Sequence, residues 1–209
     1  WTQRQNLATR IAPDERGSLC ENLRHLRNLR SRLHSFRRLN SEGLCVNKQP
    51  NSHFCFICGV KNIAGVQVRF YETRADDGSP EILARFCGQP IHQGYPGRMH
   101  GGVLTGILDE TMGRAVNYGA GEQVETWGVT ANLDLRFLLP VPLDVELSAR
   151  GRITSENRRL FQGSSEVYLP DGRVAVTATG KFWKMPLDEI SDADPTALGW
   201  QVYPDEIKG

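Results

Sequence analysis

Apolar and polar residues recur at regular intervals over most of the chain, and these intervals predict its secondary structure. A two-residue alternation, typical of a half-buried strand, runs through residues 66–74, and further strand-like runs follow at 81–87, 124–139, 144–155, 158–169 and 173–185. Between the second and third segments, apolar residues from Val103 to Val116 recur at the helical period. The order β-β-α-β-β-β-β predicts an α+β domain, in which the helix buries its apolar side on one face of an antiparallel sheet.

A glycine-rich loop leads directly into the predicted helix, within the stretch from His92 to Gly119. The first amides of a helix have no partner inside the helix, and the helix dipole is positive there. This helix start therefore predicts a site for an anion, or for a carbonyl oxygen that develops negative charge.

Two turns further on, the helix carries the neighbouring carboxylates of Asp109 and Glu110, at opposite edges of its apolar side. Arg114 follows Glu110 by four residues, a spacing that predicts a surface ion pair. Asp109 has no basic residue at that spacing. The spacing alone leaves open whether Asp109 is a chemical group or a solvated residue on the flank of the helix.

The first 48 residues differ from the rest in pattern and charge. Apolar residues recur every three or four positions from Leu19 to Leu39, which predicts an amphipathic helix. Residues 1–48 hold ten basic and four acidic residues, whereas residues 49–209 hold fifteen and twenty. We interpret the helix as one that packs on its own domain or on a partner subunit. Contact with an acidic surface or nucleic acid, and an organelle-targeting role, are the alternatives.

The pattern divides the chain into three parts. Residues 1–48 form a basic extension, residues 49–186 the α+β domain, and residues 187–209 an acidic tail pinned, if at all, by Trp200, Val202 and Tyr203. No apolar run approaches the roughly 20 residues that cross a bilayer, and no signal peptide is visible, so we expect no membrane partner.

Five cysteines form an odd set in a chain large enough to fold without disulfides, which favours free thiols and a cytoplasmic location. One C-x-x-C pair, Cys55 and Cys58, lies near Cys45 and His53 in the sequence, and these four residues are the ligand types of a Cys₃His zinc site. Structural zinc sites usually take two such pairs, however. We therefore predict packed thiols, no metal and no cofactor.

Four motifs together are similar to one family. They are CFICG-x-x-N from Cys55, QGYPGRMHGG at 93–102, L-D-E-x-M-G at 108–113, and TANLDLRFL-x-PVP at 130–142. Over roughly residues 55–185 the chain resembles the hotdog-fold acyl-CoA thioesterases, in their phenylacetate-pathway (PaaI-type) branch. The resemblance implies a six-stranded antiparallel sheet wrapped around one long helix, with the basic N-terminal helix as an addition. It also implies a homodimer or a dimer of dimers with active sites at the subunit boundary.

In that family the catalytic carboxylate lies nine residues after the histidine of the His-Gly-Gly motif, which implies Asp109. The resemblance further implies that the amide of Gly101, which Gly102 adjoins, polarises the thioester carbonyl. It implies that Thr130 helps to place the water or the acyl group. His100 is a further candidate base, although we expect its imidazole to hold the loop by hydrogen bonding.

Some relatives place an Asn or Gln side chain six residues before the motif histidine, where this chain has Gly94. Gln93 is then the nearest candidate for a contact with the substrate carbonyl, and His92 is the next. Arg158 and Lys181 lie on late strands and are candidates for contact with the phosphates of coenzyme A, although solvated strand faces explain them equally well.

The resemblance implies an enzyme that hydrolyses acyl-CoA to a free acid and coenzyme A. Asp109 would activate water or attack directly to give a mixed anhydride. The alternative is a hotdog module that senses acyl-CoA without cleaving it and carries a basic DNA-binding segment. The presence of Asp109 argues against that alternative, and the single helical stripe near the N-terminus argues against nucleic acid as a partner. A hotdog dehydratase would need a histidine and an acid at the substrate α-carbon, and the His-Gly-Gly helix start does not have that pattern.

Overall fold

The computed structural model describes residues 47–192 and 194–205, all of which belong to one compact unit of the chain, residues 45–209. The predicted amphipathic helix and its arginines lie outside these residues, as do Cys20 and Cys45. The strands are β1 (Asn47–Lys48), β2 (Arg69–Arg74), β3 (Pro80–Cys87), β4 (Gln93–Tyr95), β5 (Arg98–Met99), β6 (Trp127–Phe137), β7 (Glu146–Glu156), β8 (Leu160–Tyr168) and β9 (Val174–Met185). The helices are α1 (Gly101–Gly113) and α2 (Leu187–Ile190), with 3-10 turns at Pro90–His92, Arg114–Asn117 and Pro195–Leu198.

Seven of these strands pair into one antiparallel sheet in the order β1-β2-β3-β7-β8-β9-β6. All six predicted strands are present in it, and the two-residue β1 adds a seventh beside β2. The strands β4 and β5 form a separate hairpin directly before α1, which the sequence pattern did not predict. Strand β6, which carries Thr130, lies at one edge of the large sheet.

The helix α1 packs against the strands β3, β6, β7, β8 and β9 of the large sheet. Its buried residues are Leu104, Ile107, Leu108, Thr111 and Met112. Two glycines of the sheet allow this close approach: a Cβ at Gly151 would lie 2.9 Å from Thr111, and a Cβ at Gly163 would lie 3.2 Å from Met112. Burial of each large apolar side chain contributes about 1.5–3 kcal/mol, so this contact fixes α1 on the sheet.

The predicted helix is confirmed, although it is shorter in its α-helical form than its apolar pattern. The α-helix ends at Gly113, and Arg114–Asn117 continue it as a 3-10 turn. Gly119 and Gly121 then adopt positive φ angles of 81° and 61°, a conformation that ends helices and that glycine adopts at low cost.

The end of the chain returns to the start of the described domain. Gln201 bridges to Asn51, and the indole of Trp200 lies 4.8 Å from that of Trp127 in an edge-to-face contact. The hydroxyl of Tyr203 donates to the carbonyl of Gly199 at 2.8 Å. Within the described residues, no helix is long and apolar enough to cross a membrane.

Candidate active site

The first turn of helix α1 has a capping residue, but one of its backbone N–H groups has no hydrogen-bond partner among the described residues. His100 is the N-cap, and its Nδ1 atom accepts a hydrogen bond from the N–H of Gly102 at 2.9 Å. The N–H groups of Val103 and Leu104 donate to the carbonyl of His100 at 3.0 and 3.2 Å. Among the described residues, the N–H of Gly101 has no hydrogen-bond partner. The amide of Gly101 is therefore available to a ligand, whereas the amide of Gly102 is occupied by His100.

The amide of Gly101 borders an open cleft of about 640 Å³. Phe137, at the end of β6, forms part of its wall, and a Cβ added to Gly101 would lie 3.5 Å from the Phe137 ring. The side chains of Phe137 and Leu138 are 55% and 56% exposed. This cleft therefore combines an apolar surface with a backbone donor at the positive end of a helix.

Asp109 lies two turns along the same helix and faces the edge strand β6. The hydroxyl of Thr130 donates a hydrogen bond to its Oδ1 atom at 2.8 Å. A bulge between Thr130 and Asn132 shifts the pairing of β6 with β9 at this point. Bulges commonly re-aim a side chain next to a functional site, and this one sits where the contact with Asp109 is made.

The half-buried carboxyl of Asp109 forms none of the ion pairs found in the described part of the chain. Burial raises its pKa above the usual range, because removal of water disfavours the charged form. The hydrogen bond from Thr130 opposes this shift, and the negative charge of Glu110 adds to it. A carboxylate with a raised pKa is a stronger base than a solvated one.

Glu110 has the opposite surroundings. Its Oε1 atom accepts hydrogen bonds from Nε and a terminal nitrogen of Arg114 at 2.9 and 2.8 Å, which confirms the predicted ion pair. The predicted surface location is wrong, because the side chain of Arg114 is only 4% exposed. Arg114 also donates to the carbonyl of Pro50 at 2.7 Å, and its guanidinium lies 4.0 Å from the centre of the Phe70 ring. The ion pair therefore helps to hold the fold together.

A second cleft, of about 300 Å³, contains both Asp109 and Thr130. Its aromatic walls are Trp127, Phe182 and Trp200. Trp200 reaches this cleft from the C-terminal segment, and its ring also stacks at 4.8 Å from the guanidinium of Arg114. The sequence singled out Trp200 only as a residue that pins the tail. In the sequence, the role of Trp200 in lining the cleft is indicated only by the presence of a large aromatic residue in an acidic segment without periodicity.

The sulfur atoms of Cys55 and Cys58 and a carboxylate oxygen of Glu110 lie within 4.8 Å of one another, beside the same cleft. They supply three donor atoms, whereas a closed structural zinc site takes four. The ring of His53, one of the two further ligands that the sequence suggested, packs 6.2 Å from the ring of Tyr203. The other, Cys45, lies outside the described residues. The described residues by themselves therefore do not complete a structural zinc site.

The remaining predicted substrate contacts lie in different places. His92 is 3% exposed, and its ring nitrogens bond to the N–H of Gln89 and the carbonyl of Ala64, both at 3.1 Å. This corrects the expectation for His92, whose imidazole holds the loop together and is not free for a substrate. The Oε1 atom of Gln93 accepts a hydrogen bond from Gly97 at 2.9 Å, within the β4–β5 hairpin.

The two basic candidates lie outside the linings of both clefts. Arg158 is exposed in the turn before β8, and Lys181 is exposed on β9. Because successive strand residues point to opposite faces, Lys181 lies on the face opposite to the buried Phe182 and hence away from α1. Contact of these two residues with coenzyme A stays a prediction.

The free amide and the half-buried carboxylate are far apart within one chain. Gly101 and Asp109 are eight residues apart on α1, and a rise of 1.5 Å per residue separates them by about 12 Å. One carbonyl group cannot contact both groups of the same helix.

Comparisons with known proteins find thioesterases. Residues 96–176, which include Gly101, Asp109 and Thr130, match the family model of the thioesterase superfamily. The acyl-coenzyme A thioesterase THEM4 of Bos taurus is 29% identical over 107 residues, which are 51% of this chain and 42% of that protein. This chain thus spans about two fifths of the length of the curated relative that it matches.

Two solved structures share the fold. A thioesterase superfamily protein has 24% identity and a TM-score of 0.53, with 81% of this chain and 85% of that chain covered. A thioesterase from Haemophilus influenzae has 15% identity and a TM-score of 0.52, with 62% and 86% covered. The hotdog fold and the resemblance to thioesterases are confirmed, and the PaaI-type branch stays a prediction.

Proposed function

We propose that this chain, whose residues 96–176 match the thioesterase superfamily, hydrolyses the thioester bond of an acyl-coenzyme A to a free acid and coenzyme A. One observation carries the proposal: inside a cleft, a half-buried Asp109, which has no cationic partner among the described residues, accepts a hydrogen bond from Thr130. The Bos taurus relative, an acyl-coenzyme A thioesterase, supports coenzyme A as the leaving thiol.

Asp109 acts on the acyl carbon as a base or as a nucleophile. As a base it takes a proton from a water molecule, which then attacks the carbonyl carbon. As a nucleophile its carboxylate attacks directly and forms a mixed anhydride that water later opens. In both routes burial makes the carboxylate more reactive, and the Thr130 hydroxyl holds the carboxylate oxygen in place.

The amide of Gly101 stabilises the oxyanion. The carbonyl oxygen gains negative charge as its carbon becomes tetrahedral, and a fixed backbone N–H at the positive end of a helix lowers the energy of that state. Gly102 adjoins this position, but its own N–H is engaged by His100. We therefore assign the role to Gly101 and assign His100 to holding the helix start.

The distance of about 12 Å along α1 leads us to propose a homodimer, or a dimer of dimers, with shared active sites. Gly101 of one subunit would then act with Asp109 of the other on the same thioester, and the two-fold axis would create the second site. The exposed side chains of Phe137 and Leu138, at the end of the edge strand β6, are apolar surface that such a contact would cover.

Hydrolysis is tested with a panel of short, medium, long and aromatic acyl-CoAs, in which a thiol-trapping dye reports released coenzyme A. The sharpest variant is Gly101→Pro, which removes only the proposed oxyanion donor. Proline is well tolerated at the first position of a helix, and His100 already has the extended backbone (φ −67°, ψ 135°) that precedes proline. We expect kcat to fall about 10²–10³-fold with an unchanged melting temperature.

Gly101→Ala is the matched variant, because it retains the N–H and its Cβ meets Phe137 only at an ordinary contact distance of 3.5 Å. It should lose far less activity than Gly101→Pro. Equal losses in both variants would show that the amide is not the oxyanion donor. No hydrolysis of any acyl-CoA by the wild-type protein would overturn the proposed function itself.

Mixing two inactive variants tests the shared site. Asp109→Asn and Gly101→Pro subunits are unfolded together and refolded as a one-to-one mixture. In each mixed dimer one site then combines an intact Gly101 with an intact Asp109, so about a quarter of the wild-type activity should return. If both groups of a site came from one chain, the mixture would stay as inactive as its components.

A further inference from the structure

Both cysteines of the C-x-x-C pair lie within one tight turn, from Cys55 to Gly59. The N–H of Gly59 donates to the carbonyl of Cys55 at 2.8 Å and closes this turn. Any side chain at residue 59 would collide with the backbone of Cys55, so glycine allows the turn to be this tight. Residues three apart in such a turn have Cα atoms within about 7 Å, close to the range of about 4.4–6.8 Å that a disulfide requires.

Two hydrogen-bond donors beside the sulfur of Cys55 favour its thiolate. The N–H of Ile57 donates to it at 3.3 Å. The sulfur of Cys58 lies within 4.8 Å of it, and a hydrogen bond from the Cys58 thiol favours the Cys55 thiolate. Together these hydrogen bonds lower the pKa of Cys55, although burial and the charge of Glu110 oppose the shift. The thiol of Cys55 also donates a hydrogen bond to the Oε2 atom of Glu110 at 3.2 Å.

The two thiols differ in access. Both cysteines line the cleft of Asp109, but Cys55 is half-buried, whereas Cys58 is 2% exposed and contacts the hydroxyl of Ser52 at 3.4 Å. The hydrogen bond with Cys55 and burial both raise the pKa of Cys58. Such a pair has one attacking thiol that a reagent can reach and one resolving thiol behind it.

A bound cation fits this cluster less well. The Oε1 atom of Glu110 is already held by the guanidinium of Arg114, whose positive charge lies next to any ion placed there. Only three donor atoms converge among the described residues, as noted above. Thiol chemistry therefore explains the arrangement better than metal binding.

We propose that Cys55 and Cys58 form a reversible internal disulfide by exchange with a low-molecular-weight disulfide such as oxidised glutathione. The Cys55 thiolate attacks one sulfur of the reagent, whose S–S bond breaks and releases the first thiol. The Cys58 thiol then loses its proton and attacks the Cys55 sulfur of the mixed disulfide, which releases the second thiol. The two cysteines lose two electrons and two protons, and the reagent gains both.

The disulfide changes the wall of the Asp109 cleft. The hydrogen bond from Cys55 to Glu110 is lost, because the bonded sulfur no longer carries a proton. This site is independent of the proposed hydrolysis, so a failure of either proposal leaves the other standing.

The test uses the full-length protein equilibrated in glutathione buffers of increasing oxidising strength, then acid-quenched, alkylated and digested with trypsin. The peptide of residues 49–61, QPNSHFCFICGVK, holds Cys55 and Cys58 and no other cysteine. We expect this peptide to become two hydrogens lighter and resistant to alkylation in oxidising buffers, and to regain both thiols on reduction.

Two variants separate the roles of the thiols. In Cys58→Ser the same peptide should carry one glutathione on Cys55, because no resolving thiol remains. In Cys55→Ser modification of the buried Cys58 should be at least about tenfold slower. Cys87→Ser is the control, since this exposed cysteine lies outside the peptide and its loss should leave the titration unchanged.

Three outcomes would overturn the proposal. The peptide could remain a dithiol in buffers that modify Cys87, or it could stop at a glutathione adduct although both cysteines are present. Alternatively, the purified protein could contain one zinc ion per chain that protects both thiols from alkylation, which would make the pair part of a metal site.

Discussion

Two sides of the same helix carry neighbouring carboxylates with opposite surroundings. On one side, Asp109 faces the edge strand, and within the described part of the chain its side chain has a single neutral partner, the hydroxyl of Thr130. On the other, Glu110 faces the loop of Cys55 and is bonded to the guanidinium of Arg114. The side chains of consecutive helical residues point about 100° apart. Two acids that are adjacent in sequence therefore face different surroundings, and only Glu110 forms an ion pair within the described residues.

The difference shows how a folded protein keeps a reactive group. A half-buried carboxylate that has no cation beside it lowers the free energy of unfolding. A carboxylate that is bonded to an arginine has its charge compensated. The structure retains the costly arrangement at Asp109 and the compensated one at Glu110. An unfavourable burial of charge of this kind is common at functional sites.

The largest effect should come from Asp109→Asn, which keeps the shape of the side chain and removes its basicity. We expect kcat to fall about 10²–10⁴-fold, the usual contribution of a general base, as measured by release of coenzyme A. Asp134→Asn, an exposed change on β6, is the matched control and should retain activity. Near-normal turnover of Asp109→Asn would refute the assignment.

The same variant should not lose stability. The raised pKa of Asp109 means that the folded state binds its proton more tightly than the unfolded chain does. The free energy of unfolding of the wild type therefore falls as the pH rises from the ordinary pKa of an aspartate through the raised one. Asparagine does not ionise, so the melting temperature of the variant at neutral pH should equal or exceed that of the wild type. A clearly lower value would contradict the burial argument.

Glu110→Gln should show the reverse pattern. Loss of the carboxylate leaves the buried guanidinium of Arg114 without its counter-charge, which should lower the free energy of unfolding by about 3 kcal/mol. Turnover of the protein that remains folded should change less than about tenfold, because Glu110 has no assigned chemical step. Denaturant unfolding with the exposed change Glu125→Gln as control measures the first effect. A variant that is stable but inactive would instead assign the catalytic role to Glu110 and not to Asp109.

The smallest effect should come from Thr130→Val. Removal of the hydroxyl takes away the hydrogen bond that lowers the pKa of Asp109, so the pKa rises further. The acidic limb of the pH–rate profile should move to higher pH, and kcat at the optimum should fall only about fivefold. Thr130→Ser retains the hydroxyl and should keep the wild-type profile. An unshifted limb in the valine variant would show that Asp109 does not set this limb.

Local features of the site were predictable from the sequence because they depend on neighbouring residues. The helix start at the His-Gly-Gly motif, and the hydrogen-bonding role expected of His100, involve groups within two residues of one another. The ion pair of Glu110 and Arg114 follows from a four-residue spacing. Burial of that pair was not predictable, because it depends on Pro50 and Phe70, which are distant in sequence.

The choice between the two acids came from a resemblance and not from the residues themselves. On a helical wheel Asp109 and Glu110 lie at opposite edges of the apolar side, and the wheel does not show which edge meets a cleft. The bulged edge strand with Thr130 and the returning Trp200 supply that information. Both come from parts of the chain that periodicity cannot place in space.

The sequence by itself determined the number, kind and order of the six main strands and the central helix, because a repeat of apolar residues records which face of each element is buried. The tertiary structure alone decided that Asp109 meets Thr130, that Arg114 is buried, that His92 is occupied, and that Cys55 and Cys58 meet Glu110. Each of these features includes at least one contact between segments far apart in sequence, and such partners are fixed only when the helix packs on the sheet.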